Sequence, residues 1–398
     1  MYRNTYVQIN IDNLKNNVEQ IVNHYKNYQY YIGVVKGNAY GHDDFIVNDL
    51  IDSGINYLAA STLEEVISIR KKNNNIPILC LEPIDINYID VCIKNNITIT
   101  VHDYEYFKEL LDTEINHDLK VHLKIDSGMN RLGLKDEDEI KDTYEKLSNH
   151  PNIILEGIYT HFMTPGISDK IWDNQVSRFK KLTRKIDLKQ IPIVHMGKSL
   201  TLINHPKIDI CNAIRLGIIM YGFDQTPKPQ TGIKAKLRAL KAKMRIKKYK
   251  ISPTNLNCPI NLKPAFSLYS EIMQVKKVEQ SEYIGYGTYY KATEKMKVGI
   301  VPIGYGDGFN RRNSGREVLI NKKRFPIIGE VGMGMIIVKI DDSVKVHDKV
   351  MLIGEDISVR EVSRHIKTTV YETMCMIGKS VPRVFVKNNK VIHIEEYK

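Results

Sequence analysis

One lysine stands where an apolar run meets a turn rich in small residues: Tyr30-Tyr31-Ile32-Gly33-Val34-Val35-Lys36-Gly37-Asn38-Ala39-Tyr40-Gly41-His42. A lysine at the carboxyl end of a buried strand loses part of its hydration. Its neutral amine then becomes available near neutral pH and can attack an aldehyde to give a Schiff base. The same pattern also fits an ordinary surface lysine where a strand meets solvent, so Lys36 alone leaves both readings open. Other apolar runs close on polar groups in the same way. Lys124 and Asp126 end one run and precede Ser127-Gly128-Met129-Asn130-Arg131-Leu132-Gly133, and Tyr159-Thr160-His161-Phe162 ends the next. His195 and Ser199 bracket a third, and Arg215-Leu216-Gly217-Ile218 closes a fourth. A lone arginine or histidine at such a place is usually structural. An amine, guanidinium, imidazole and hydroxyl on one face would together suit proton transfer and anion binding.

Positioning them on one face requires parallel strands. Apolar runs recur at 31–35, 57–60, 76–81, 97–101, 121–125, 153–159, 193–195 and 208–216, with amphipathic helical stretches between most of them. This rhythm suits strand-helix units, and eight of them predict an α/β fold of the (β/α)8 TIM-type barrel class over residues 10–223. The alternative is an open doubly wound sheet, disfavoured because no GxGxxG follows the first strand. At the amino terminus a short alternating strand at 6–11 precedes Asp12, which reads as the N-cap of a helix carrying Leu14, Val18 and Ile21 on one face. Residues 224–262 form a connecting insertion rich in Lys, Pro and Asn. Beyond it, residues 263–398 show short alternating runs, the first at 266–278, with Gly and Pro turns, predicting a mainly antiparallel β domain that the strand at 1–9 could join.

The chain has 398 residues, 42% of them hydrophobic, enough for a large core. Its net charge of +12 comes largely from 234–250, which holds nine basic residues and no acidic one. There Leu237, Leu240 and Met244, with Ile233, recur at helical spacing. The segment reads as a solvated basic helix or loop, with binding to an anionic surface as the other reading. No zinc-finger spacing or RNP-like aromatic motif supports nucleic acid as the main partner. The five cysteines are scattered without CxxC or histidine pairing, so neither a disulfide framework nor a metal site is indicated. No signal-peptide core or membrane-spanning run is evident, which predicts a cytoplasmic protein.

The motifs VVKGNAYGH (34–42), HLKIDSGMNRLG (122–133), YTHF (159–162), NAIRLGIIMYG (212–222), YGTYY (286–290), PIGYGDGFNRR (302–312) and VPRVF (381–385) together resemble those of the alanine racemase family. The resemblance spans nearly the whole chain apart from the insertion. It implies pyridoxal 5'-phosphate as cofactor, with Lys36 as its Schiff-base lysine and one of two opposed bases. Tyr286 would be the second base, supplied by the β domain of the other subunit of a homodimer and assisted by His161 beside Arg215. Tyr40, Ser199 and Tyr371, with the amides of Gly217 and Ile218, would hold the phosphate, and Arg215 would face the pyridine nitrogen. Arg131 would contact the cofactor's phenolic oxygen or the substrate carboxylate, Lys124 matches a lysine often carbamylated in relatives, and Tyr305 and Met333 would complete the substrate pocket.

Three positions depart from the family pattern. Gly332-Met333-Gly334 stands where Cys-Met-Asp is usual, suggesting a roomier pocket, and Lys198 stands where an asparagine usually precedes the phosphate serine. The implied activity is interconversion of L- and D-alanine for cell-wall peptidoglycan. Racemisation of serine or a wider set of amino acids is the alternative on the same scaffold. A barrel-type basic amino-acid decarboxylase lacks its glycine-rich phosphate loop and cysteine motif here. A non-catalytic cofactor-binding or nucleic-acid-associated regulator is argued against by the presence of Lys36, Tyr286 and Arg215.

Overall fold

A computed structural model describes residues 2–164, 170–224 and 258–396, together with Leu237, Leu240 and Met244. The chain divides into two compact units. One comprises residues 1–14, 37–46 and 263–398, the other 15–36 and 47–262.

The first strand, β1 (Tyr6–Asn10), belongs to the first unit. The second unit contains β2 (Tyr30–Val34), β3 (Tyr57–Ala60), β4 (Ile78–Cys80), β5 (Ile99–Val101), β6 (Leu119–Lys124), β7 (Ile153–Tyr159), β8 (Ile193–Lys198) and β9 (Ala213–Leu216). Hydrogen-bonded neighbours run β4-β3-β2-β9-β8-β7-β6-β5, every pair parallel. The two ends of this row meet. Cys80 N donates to the Thr98 carbonyl and Thr98 N to the Ile78 carbonyl, both at 2.9 Å, and Leu79 and Thr98 form a parallel bridge. The open-sheet alternative is thereby excluded: the eight strands close into the expected barrel. Ile32, Tyr57, Ala59, Leu79, Tyr159, Ile193 and Ala213 pack in one buried cluster, so these strands read as apolar runs rather than alternating ones. Between strands, the helices Leu63–Lys72, Tyr104–Asp112 and Glu137–Asn149 start at Thr62, Asp103 and Asp136, whose side chains accept from first-turn amides.

In the first unit β1 joins β10 (Phe266–Glu271), β11 (Gln274–Val278), β12 (Met296–Val301), β13 (Glu317–Ile320), β14 (Lys323–Ile328), β15 (Ile336–Ile340), β16 (Lys349–Ile353), β17 (Arg383–Lys387) and β18 (Lys390–Glu395). The order is β11-β12-β15-β14-β13-β16-β10-β1-β17-β18. The β1–β17 pair is parallel and the others are antiparallel.

Local detail differs from the sequence reading in three places. The helix after β1 starts at Ile11, and its third amide, Asn13 N, donates to Asn10 Oδ1 at 2.9 Å, so Asn10 rather than Asp12 caps it. Asp12 Oδ2 instead accepts from Asn388 N at 2.7 Å. The apolar stretch 208–216 is a strand only from Ala213, and 266–278 is broken into β10 and β11. Leu237, Leu240 and Met244 are helical and exposed, and the rest of the basic segment lies outside the described residues. Among the described residues no helix is long and apolar enough to cross a membrane.

Candidate active site

Parallel strands deliver their carboxyl ends to one rim of the barrel, and the polar residues singled out above sit there. Lys36 follows β2 by two residues and Lys124 ends β6. His161 follows β7 by two residues, and His195 lies within β8. Ser199 comes directly after β8, Arg215 lies in β9, and Gly217 and Ile218 follow it.

Positive charge dominates this rim. Lys124 is 5% exposed. Burial, and then the charges of Arg215, Arg131 and Lys36, pull its ammonium down to about 7, against the weaker pull of Asp126. Its Nζ lies 4.7 Å from the centre of the Tyr159 ring. Arg215 is buried and lowered to about 10 by desolvation, still a cation at neutral pH. One of its terminal nitrogens donates to His195 Nδ1 at 2.5 Å and the His195 carbonyl at 3.1 Å. The other reaches the Thr160 carbonyl at 2.8 Å, the Met196 carbonyl at 3.0 Å and His161 Nδ1 at 3.3 Å. Burial, then Arg215, push the His161 imidazole well below its ordinary value, so it is neutral.

The loop carrying Arg131 is closed on itself. Ile125 and Leu134 form a parallel bridge, Leu134 N donates to the Lys124 carbonyl at 2.9 Å, and Asp126 N to the Leu134 carbonyl at 3.0 Å. Asp126 Oδ1 accepts from Gly128 N at 2.8 Å and Asn130 N at 3.1 Å. Gly133 makes the closure possible: its φ is +122°, and a Cβ there would fall 2.5 Å from Asp126 N. Gly133→Ala is therefore expected to cost about 2 kcal/mol or more in denaturant unfolding and to lower activity by displacing Arg131. Unchanged stability would show that the loop adjusts freely.

At the end of β9, Gly217 N donates to Ser199 Oγ at 2.9 Å. Lys198, in the position where the family pattern has asparagine, donates from its Nζ to the Phe162 carbonyl at 2.9 Å. A buried residue that sequence reading missed, Gln175, ties the loops together, donating to the His161 carbonyl at 3.2 Å and accepting from Met163 N at 3.0 Å.

The other expected residues belong to the β unit. There the Tyr40 and Tyr371 rings lie 5.7 Å apart, and burial raises both phenols, Tyr371 to about 12. Tyr40 closes a left-handed turn, with φ of +64°, +54°, +52° and +55° from Gly37 to Tyr40. Tyr305 N and Gly306 N donate to the carbonyls of Gly332 and Met333 at 3.0 and 2.8 Å. A Cβ on Gly332 would lie 3.7 Å from the Tyr286 ring. Tyr286, Tyr305 and Met333 are thus neighbours, and they are 73%, 44% and 65% exposed.

The profile described as "Alanine racemase, N-terminal domain" matches residues 9–225, and the one described as "Alanine racemase, C-terminal domain" matches 265–385. The chain belongs to the alanine racemase family. The alanine racemase of Anoxybacillus flavithermus is 35% identical over 402 residues, covering 99% of this chain and 97% of the relative. Alanine racemase 1 of Bacillus subtilis is 32% identical, covering 99% and 96%. Among solved structures, the alanine racemase of Bacillus anthracis with bound L-Ala-P superposes with a TM-score of 0.87 at 31% identity, covering 100% of this chain and 98% of that one. That of Clostridium difficile 630 gives 0.86 at 31% identity, covering 100% and 99%. For an alanine racemase family member, a rim crowded with an amine, guanidinium groups and backbone amides has the donor chemistry that an anionic aldehyde cofactor and an amino-acid carboxylate require.

Proposed function

We propose that this chain interconverts L- and D-alanine using pyridoxal 5'-phosphate bound through Lys36, and that it supplies D-alanine for peptidoglycan from the cytoplasm. The observation that carries the reading is the grouping of the Lys36, Lys124, Arg131 and Arg215 charges at one rim of the barrel. The donor set of the barrel unit suits the cofactor: an amine for its aldehyde, a guanidinium for its pyridine nitrogen, and Ser199 with the Gly217 and Ile218 amides for its phosphate. When bound, the cofactor supplies an electron-accepting ring that stabilises negative charge on the substrate's α-carbon.

The chain's own residues do the rest. Lys36 Nζ takes or returns the α-proton on one face, and the Tyr286 hydroxyl does so on the other. A tyrosine has an unperturbed pKa near 10, so it needs stabilisation as the phenolate; neutral His161, held by Arg215, has a ring N–H to offer. Arg215 stays protonated and would present a donor to the pyridine nitrogen, where it would limit the ring's electron demand and with it transamination. Arg131 binds the substrate carboxylate or the phenolic oxygen, and Tyr305 and Met333 shape the pocket. Tyr286, Tyr305 and Met333 come from a second copy of the chain. Their shared exposure supports this, because an aromatic and methionine patch is the kind of surface a homodimer covers. Incubating the protein with cofactor and L-alanine, then separating enantiomers, should give an equal mixture; L-alanine recovered unchanged would refute the reading.

With its ammonium pulled down to about 7, Lys124 has a substantial neutral fraction at pH 8. That amine adds carbon dioxide, forming an N–C bond and releasing a proton, and the resulting carbamate pairs with Arg131. Carbon-13 bicarbonate should then give a carbamate resonance that Lys124→Gln lacks and that fades below about pH 7 as the amine protonates. A spectrum identical in the two proteins would remove the carbamate.

Space favours a second substrate. Glycines stand at 332 and 334 where the family pattern carries cysteine and aspartate, and the missing side chains would leave room for serine. A panel of L-amino acids with chiral separation decides it; turnover of alanine alone would close the broader reading.

A further inference from the structure

Glu156 is a carboxylate inside an otherwise apolar strand, and none of the roles above uses it. Its Oε2 accepts from the Tyr57 hydroxyl at 2.6 Å and from Thr98 Oγ1 at 3.1 Å, and lies 3.3 Å from His122 Nε2. His122 Nδ1 is 2.9 Å from His195 Nε2, and His195 Nδ1 is 2.5 Å from the Arg215 guanidinium. The four side chains thus form a continuous line from β7 through β6 and β8 to β9. Both histidines are fully buried. The Tyr159 ring is stacked on His195 with centroids 4.6 Å apart. Gly157 leaves room for the line, since a Cβ there would fall 2.5 Å from the His122 ring.

Counting protons along the line leaves one arrangement. A guanidinium only donates, so His195 Nδ1 must accept, and a neutral His195 then carries its proton on Nε2. That proton points at His122 Nδ1, which must also accept, so His122 carries its own proton on Nε2, facing Glu156. Every link then holds one proton, with a cation at one end and an anion at the other. The surroundings agree. Burial and Arg215 keep His195 well below the ordinary imidazole value. For Glu156, burial works to raise the carboxyl, and hydrogen bonds from His122, Tyr57 and Thr98 outweigh it and hold it at about 2.

We propose that Glu156 is a positioning residue for Arg215: by accepting the His122 Nε2 proton it sets the tautomers of His122 and His195, and so fixes Arg215 as a donor in one orientation. Without an acceptor at 156, His122 can move its proton to Nδ1. His195 Nε2 then becomes the acceptor and its proton shifts to Nδ1, where two donors face each other and the guanidinium is pushed away. The consequence for catalysis rests on the proposed role of Arg215 at the cofactor, whereas the tautomers do not depend on it.

The test compares holoenzyme with Glu156→Gln, which keeps an oxygen acceptor, and Glu156→Leu, which does not. Nitrogen-15 spectra of histidine-labelled protein, assigned with His122→Gln, report the tautomers. Wild type and Glu156→Gln should show His122 and His195 as neutral Nε2–H forms at about pH 8. Glu156→Leu should show mixed tautomers. Its kcat should fall about tenfold or more with little change in KM, and more pyruvate should be released per turnover from alanine. Glu156→Gln should recover most of the loss. Gly157→Ala, which displaces His122 and leaves the carboxylate in place, should reproduce the mixed tautomers, and it covers the case in which Glu156→Leu does not fold. Nε2–H tautomers persisting in Glu156→Leu or Gly157→Ala, or Glu156→Gln behaving like Glu156→Leu, would overturn the proposal. Wild type with the expected tautomers but no racemisation would sink the functional reading and leave the hydrogen-bonded line intact.

Discussion

Lys36→Ala is expected to lower kcat for alanine racemisation by more than about 10⁴-fold in either direction. Two functions are lost together: the amine that attaches the cofactor, and the base on one face of the α-carbon. Stability should change little, because Lys36 lies beyond the end of β2 and is only half-buried. The native fold can therefore be checked by an unchanged thermal transition. Added methylamine should supply a free amine for the cofactor's aldehyde without restoring a base held on the chain, so it should recover little turnover. A Lys36→Ala enzyme with native rates would remove this lysine from the mechanism.

Tyr286→Phe has the second-largest expected effect, and its form is more diagnostic than its size. Removing one hydroxyl should slow racemisation by roughly 10² to 10⁴-fold, the range for loss of one positioned acid-base group. With Lys36 intact, however, one enantiomer should still exchange its α-hydrogen with deuterated water while the other does not. A structural lesion would slow both exchanges equally. The phenol is 73% exposed in the single chain, so the substitution should leave the fold of one subunit unaffected and act where the second copy supplies the residue. Mixing Lys36→Ala with Tyr286→Phe chains should then restore one intact site per mixed dimer. No recovery on mixing would argue that each subunit uses its own Tyr286.

The architecture was legible where burial is simple. Strands covered on both faces are written as apolar runs, so the barrel could be traced from 31–35 onward, and a lysine, histidine or arginine ending such a run marks the rim. Closure between β4 and β5 was read only from the count of eight runs, because the contact itself depends on two three-residue strands and two hydrogen bonds at Thr98. The helix start was misplaced by two residues because Asn10 and Asp12 are both good caps, and tertiary pairing of Asp12 with Asn388 decides between them. The left-handed turn at Ala39 and Tyr40 ran against intrinsic preference, since a Cβ disfavours that conformation by about 1–2 kcal/mol per residue. Only the flanking Gly37, Asn38 and Gly41 hinted at it. Glu156 was the most hidden. A glutamate beside a glycine in the run Ile153–Tyr159 is a visible oddity, yet its meaning lies in His122 and His195, one far along the chain in each direction. Roles assigned to Tyr286, Tyr305 and Met333 came from family resemblance, and their exposure in one chain is what a site shared between two copies requires.

One measurement bears on the central claim most directly. L-alanine is incubated with holoenzyme in deuterated water, and the D-alanine formed in the first few per cent of conversion is analysed for α-hydrogen isotope. Opposed Lys36 and Tyr286 predict D-alanine that is almost wholly deuterated, because the proton removed on one face is not the one returned on the other. D-alanine retaining the substrate's own hydrogen would contradict the two-base arrangement, and the absence of D-alanine would contradict the function itself.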